Sequence, residues 1–138
     1  MKKIQNCLES WASHLSNKLN ADYRLMAVSG KGVNHNSFGV PGPKIPTLYT
    51  RVTDNSKPYS YKYQDGVKPD AIFFFIGAND YSHPIKPNKA NFVSGYKKML
   101  EVALEELLYV FPESKPIFIT ICALEISKKM CENIKQAT

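Results

Sequence analysis

Several things are scarce in these 138 residues, and each scarcity closes a possibility. Only three cysteines occur, Cys7, Cys122 and Cys131. Three is neither the even count of a disulfide framework nor a paired spacing for zinc, so they read as reduced thiols. Arginine is nearly absent, with only Arg24 and Arg51. Base readout and phosphate clamping lean on arginine, so nucleic acid is not an expected partner. The longest apolar run, Ala71 to Ile76, is far too short to span a bilayer, so no membrane partner is expected. Met1-Lys2-Lys3 is followed by Ile4-Gln5-Asn6-Cys7-Leu8-Glu9 rather than an apolar stretch, so the reading finds no signal peptide. Nothing resembles a metal-ligand cluster or a cofactor fingerprint. Neither a metal nor a cofactor is expected.

What remains is an ordinary globular mixture, 43% hydrophobic and 22% charged, on a length suited to a single domain over residues 1–138. The net charge of +6 is uneven. Residues 1–69 carry ten Lys/Arg against four Asp/Glu, whereas residues 70–138 carry eight of each. The excess is scattered lysine, which reads as a solvated surface.

Apolar residues Ile4, Cys7, Leu8, Trp11, Leu15 and Leu19 recur at helical spacing and predict a helix over 4–19. Asn20-Ala21-Asp22 is a turn. Tyr23 to Val28 reads as a short strand ending at Ser29-Gly30. Residues 29–69 hold Gly30, Gly32, Gly39, Gly42 and Gly66 with Pro41, Pro43, Pro46, Pro58 and Pro69. So long a stretch without period reads as a functional loop region, with one helical turn after Pro46. Asp70 to Ile76 and Ile117 to Ile121 are apolar without alternation, which predicts strands buried on both faces of a parallel sheet. Between them Phe92, Tyr96, Met99, Leu100, Ala103, Leu107 and Leu108 mark a helix over about 89–110. Leu124 to Gln136 is a weaker final helix. Strands alternating with helices predict an α/β fold, a three-layer α/β/α sandwich around a parallel sheet. Three strands are few for such a sheet.

Sites in these folds lie at the carboxyl ends of strands. Two segments fall there, Ser29-Gly30-Lys31-Gly32 and Gly77-Ala78-Asn79-Asp80. The first is neither a P-loop nor a dinucleotide fingerprint, since position 35 is His35 rather than glycine. Taken together they resemble the SGNH hydrolases, the GDSL-like serine esterases, and most specifically the acetylesterases of carbohydrate esterase family two. Ile45-Pro46-Thr47-Leu48-Tyr49 is similar to the Met-Pro-x-Leu-Tyr element of those esterases. Lys68-Pro69-Asp70 and Tyr81-Ser82-His83-Pro84 extend the likeness, which covers about residues 8–125.

The resemblance implies a function and roles. The family cleaves esters through a tetrahedral oxyanion held by three donors. Two of these carry over, the backbone N–H of Gly30 and the side-chain amide of Asn79. Asp80 would brace the loop by accepting backbone N–H bonds. Ser29, Lys31, Gly32, Gly77 and His83 would lie at the pocket. If the roles hold, the Gly30 nitrogen and the Asn79 amide face one cleft within about 6 Å of each other.

The departures are equally specific. The family's nucleophilic serine sits in a Gly-Asp-Ser block, which does not occur in this sequence, and its histidine in an Asp-x-x-His block after the last strand. The one Asp-x-x-His here, Asp80-Tyr81-Ser82-His83, follows the Gly-x-Asn-Asp segment instead and so does not match that block. His14, His35, Ser10 and Ser29 match no catalytic block. The expectation is therefore an esterase domain cut short at both ends, lacking the family's first strand and inactive alone. Its full form would act on a small ester or an acetylated carbohydrate. The uncovered sheet would leave it prone to self-association. Two alternatives stand: a degenerate relative that binds sugar or acyl groups without catalysis, and an unrelated flavodoxin-like binding domain. A secretion signal would precede the missing block, so the compartment stays open beyond a cytoplasmic default.

Overall fold

The computed structural model describes residues 7–38, 40–51, 63, 66–82, 85–122 and 127–138. A 3-10 turn at Cys7–Glu9 leads into α1, Trp11–Leu19. The break between them corrects the expected continuous helix, whose first residues 4–6 lie outside the described ones. Its cause is Ser10, which takes extended dihedrals (φ −76°, ψ 159°) and accepts a hydrogen bond from the Ser13 N–H at 3.3 Å. A serine that satisfies an orphan N–H in this way starts a helix rather than continuing one. Asn20 ends α1 in the left-handed region at φ 49°, a conformation asparagine tolerates better than most residues.

Tyr23 to Val28 forms no strand, contrary to the sequence reading. A β pattern becomes a strand only where its backbone finds a ladder partner. Among the described residues the sheet is just β1, Ala71–Phe74, and β2, Ile117–Thr120, so two strands stand where three were expected. Tyr23, Leu25 and Met26 are exposed, and Val28 alone of this segment packs on the core.

β1 and β2 pair in parallel, with Ala71 opposite Ile117 and Phe74 opposite Thr120. A parallel pair needs a crossover, and α4, Lys89–Val110, supplies it. Asn88 caps α4 by accepting from Ala90 N–H at 2.8 Å, and the helix ends ahead of Pro112. Its buried stripe is Phe92, Tyr96, Met99, Ala103 and Leu107, at steps of three and four. Two short helices precede it: α2, Ile45–Leu48, begun by Pro46, and α3, Ala78–Ser82, directly after β1. The last helix, α5, is Lys128–Ala137, capped by the Ser127 hydroxyl on Met130 N–H at 3.2 Å.

The core forms around α4 in two parts. One joins Phe92, Tyr96 and Val33 to Met130, Cys131 and Ile134 of α5. The other joins Met99 and Ala103 to Phe74 of β1 and to Ile45, Leu48 and Tyr49. Phe74 and Phe118 meet edge to face at 5.2 Å on the α4 side of the sheet. Side chains alternate across a strand, so Phe73 and Phe75 point the other way. There the Trp11 ring of α1 packs on both, at 6.3 and 5.8 Å. Helices thus lie on either side of β1, as an α/β fold requires.

Two expectations are corrected. The strands are not buried on both faces: Ile117 and Ile119 of β2 and Phe75 after β1 are exposed. The face that α1 covers at β1 is left open at β2. Cysteine also behaves differently from the reading of three reduced thiols, because Cys122 and Cys131 form a disulfide with a Cα separation of 5.3 Å. Cys122 follows the end of β2 and Cys131 lies in the first turn of α5, so the bond joins the strand end to that helix.

Candidate active site

The segments at residues 29–32 and 77–80 meet at the carboxyl end of β1. Gly77 makes this possible with φ +107°, turning the chain from strand into α3. A Cβ at this position would lie 3.1 Å from the Phe92 ring and 3.4 Å from the Met130 sulfur, so the turn is pressed against α4 and α5. Only glycine fits such a turn without strain. The Gly77 carbonyl then accepts from the N–H groups of Asp80 and Tyr81.

Asp80 is fully buried. Its Oδ2 accepts from Val33 N–H at 2.8 Å, and its Oδ1 from Asn34 N–H at 2.6 Å and His35 N–H at 2.7 Å. One carboxylate therefore holds three consecutive backbone donors from a loop more than forty residues away. Charged acceptors make short, strong bonds of this kind, and the three donors are what make burial of the charge tolerable. Gly32 stands beside it, where a Cβ would fall 1.9 Å from the His35 carbonyl oxygen and 2.6 Å from Asp80 Oδ2.

Asn79 points at the same loop from the next position. Its Nδ2 donates to the Lys31 carbonyl at 2.7 Å. Gly30 is one residue away, about 3.8 Å of chain. It sits at φ +75°, its carbonyl accepts from Ser37 N–H at 2.7 Å, and its N–H meets no acceptor among the described residues. Lys31 is buried at 5% exposure and its Nζ donates to the Pro41 carbonyl at 2.5 Å. Ser29 is exposed on the turn before Gly30. His83 lies outside the described residues.

A cleft of about 440 Å³ opens beside this turn, lined by Asn34, His35, Asn36, Ser37, Val40, Pro41 and Lys44. Asn36 was not singled out from the sequence. It accepts from Gly32 N–H at 3.3 Å and donates to the carbonyls of Val40 and Gly42 at 3.3 and 3.0 Å. An asparagine inside a glycine- and proline-rich stretch is a turn signal that could have marked it. Beneath the site the Asn133 amide of α5 donates to the Tyr81 hydroxyl, and burial pushes the Tyr81 pKa up. His14 is exposed on α1, remote in sequence from both segments.

The parallel βαβ unit and the two loops tied at its carboxyl end define an α/β protein with a strand-end site. The particular family follows from comparison. Residues 5–135 match the model of the GDSL-like lipase/acylhydrolase family, and the chain belongs to that family. Over 100 residues it is 33% identical to the cellulase/esterase CelE of Acetivibrio thermocellus, a match covering 71% of this chain and 12% of that protein. A carbohydrate esterase family 2 enzyme with a carbohydrate binding domain, from Corynascus thermopiles (Myceliophthora fergusii), superposes with a TM-score of 0.72 at 25% identity, over 94% of this chain and 43% of that one. A family two carbohydrate esterase from Clostridium thermocellum, solved with cellohexaose, gives a TM-score of 0.75 at 23% identity, over 99% and 41%. The fold is therefore SGNH-like. The chain spans about an eighth of its curated relative and less than half of either solved chain. Among the described residues no helix is long and apolar enough to cross a membrane.

Proposed function

We propose that Gly30 and Asn79 form the oxyanion-binding side of an ester-hydrolysing site whose substrate is an O-acetylated carbohydrate. The observation that carries this reading is the bond from Asn79 Nδ2 to the Lys31 carbonyl, beside a Gly30 N–H with no acceptor among the described residues. A bland loop has no reason to bring an uncharged amide donor and a glycine N–H from distant segments to one turn. An ester carbonyl becoming tetrahedral does need such donors, fixed before the charge develops. The second hydrogen on Asn79 Nδ2 is free to serve that oxygen. Asp80 is spent on holding the loop rather than on proton transfer. The choice of acetylated carbohydrate leans on the relatives, one named an esterase and two classed as carbohydrate esterases.

Residues 1–138 contain no Gly-Asp-Ser, and their one Asp-x-x-His, Asp80 to His83, belongs to the segment that holds the loop rather than standing after the last strand. On this reading they are an oxyanion half-site, and the nucleophile and base come from sequence beyond them. The strand bearing that serine would lie along β1 on the edge away from β2, and Tyr23 to Val28 would then gain a ladder. Recovering the flanking coding sequence and expressing the longer product tests the proposal. The 138-residue chain should neither hydrolyse p-nitrophenyl acetate nor take a serine-directed phosphonate label. The longer product should release acetate from acetylated oligosaccharides, and Asn79→Ala should lower its kcat roughly 10²–10³-fold. Turnover by residues 1–138 alone would overturn the half-site. A longer product that binds the oligosaccharide without cleaving it would make this a binding module.

A further inference from the structure

Lys31 stands between the two donors, and three of its hydrogen bonds bear on them. Its N–H donates to the Val28 carbonyl at 3.4 Å, its carbonyl accepts from Asn79 Nδ2 at 2.7 Å, and its Nζ donates to the Pro41 carbonyl at 2.5 Å. A lysine at 5% exposure is unusual, because burying an ammonium is costly unless it is well hydrogen bonded. A leucine or methionine would fill the space without that cost, so the ammonium itself needs a reason to be there.

One reason lies in residues 40–43. Pro41 and Pro43 have no N–H, so this segment cannot join a regular backbone ladder, and its carbonyls need donors from elsewhere. Side chains supply them: Asn36 serves Val40 and Gly42, and Lys31 serves Pro41. Val40 in turn packs against Gly30 so closely that a Cβ there would lie 2.7 Å from Val40 Cγ2. The Lys31–Pro41 bond thus fixes the segment whose Val40 packs on Gly30, while the Lys31 carbonyl, on the residue after Gly30, accepts the Asn79 amide. We infer that Lys31 is a positioning residue that sets the separation and direction of the Gly30 and Asn79 donors. This rests on the oxyanion reading for its purpose but not for its geometry.

The test reads geometry directly, so the two ideas can fail separately. Isotope-labelled wild type, Lys31→Met and Lys31→Arg are compared by amide correlation spectra and hydrogen exchange. Lys31→Met keeps the apolar stem and removes the donor, whereas Lys31→Arg keeps a cationic donor within reach of the Pro41 carbonyl. In Lys31→Met the Asn79 side-chain amide pair and the Gly30 N–H should shift and exchange at least about tenfold faster. The N–H groups of Val33, Asn34 and His35, held by Asp80, should change less than about twofold. Lys31→Arg should restore the Gly30 and Asn79 signals. If Lys31→Met does not fold, Lys31→Gln makes the same comparison, with an amide donor on a stem too short for the Pro41 carbonyl. Unchanged Gly30 and Asn79 signals would overturn the inference. So would equal loss of protection at residues 33–35, which would make Lys31 a general staple of the loop, or failure of Lys31→Arg to restore. An inactive longer product with these spectral results intact would remove the esterase reading and leave the positioning role standing.

Discussion

Replacing Asp80 with asparagine puts the central tie of the site to a quantitative test. The carboxylate accepts three backbone N–H bonds at 2.6–2.8 Å in a position with no solvent access. Asparagine offers one acceptor oxygen and one NH2 group in the same volume. In its better orientation the oxygen keeps Asn34 and His35, and the NH2 faces the N–H of Val33, a residue 3% exposed. The charged bond to Val33 is lost, at about 1.5–3 kcal/mol, and a buried donor is left unpaired, at about 1–3 kcal/mol. The two bonds that remain lose their charge assistance. The variant should therefore be less stable by about 3–5 kcal/mol, a large part of the roughly 5–15 kcal/mol that holds a domain of this size together. Urea unfolding at micromolar protein, followed by circular dichroism and by Trp11 fluorescence, measures the difference. The midpoint should fall with the slope unchanged, since the native surface is otherwise the same. A loss under about 1 kcal/mol would mean that the loop at 33–35 is held by something other than this carboxylate, and the account of the site would fail with it.

Three further outcomes follow from features elsewhere in the molecule. Burial raises the pKa values of Tyr49, Tyr63, Tyr81 and Tyr96, so the folded chain keeps protons that the unfolded chain gives up near pH 10. The resulting stability is complete below about pH 10 and is lost as pH rises beyond it, by about 1.4 kcal/mol per pH unit for each tyrosine still protonated; absorbance at 295 nm should show these hydroxyls ionising together with unfolding, and stepwise ionisation of a folded chain would contradict it. Reducing the Cys122–Cys131 disulfide, which closes a short loop of nine residues' separation, should cost about 2–3 kcal/mol, and Cys122→Ser should show the same lowered Tm without reductant. The open face at Phe75, Ile117 and Ile119 should drive concentration-dependent association in sedimentation velocity, which Ile117→Lys weakens; identical sedimentation of the two chains at all concentrations would count against it.

The parts legible in the sequence are those fixed by local pattern. The apolar run at 71–76, the stripe of α4 and the run at 117–121 each carry enough period or length to name their element without knowing its neighbours. What sequence could not give depends on partners. Tyr23 to Val28 has strand chemistry and no ladder. Ser10 could serve equally inside a helix or at its start, and the backbone dihedral decides. Ile117 and Ile119 look like core residues, yet no helix among the described residues covers them. The disulfide was missed because counting cysteines ignores that a strand end and a helix start can be adjacent. At the site, the glycines and the Asn79-Asp80 pair stood out as residue types. The bonds of Lys31 and Asn36 to a proline-bearing segment did not, since those acceptors are carbonyls that every residue owns.

Asp80 grips the N–H groups of residues 33–35, and Asn79 grips the carbonyl of residue 31. Neither grip reads a side chain. Asn34 and His35, which line the cleft, are held in place whatever their side chains happen to be. Mutation can therefore redraw the lining of that cleft, and with it the choice of bound molecule, while the anchoring stays untouched. An anchor blind to side-chain identity separates the positions a lineage must keep from those it is free to explore.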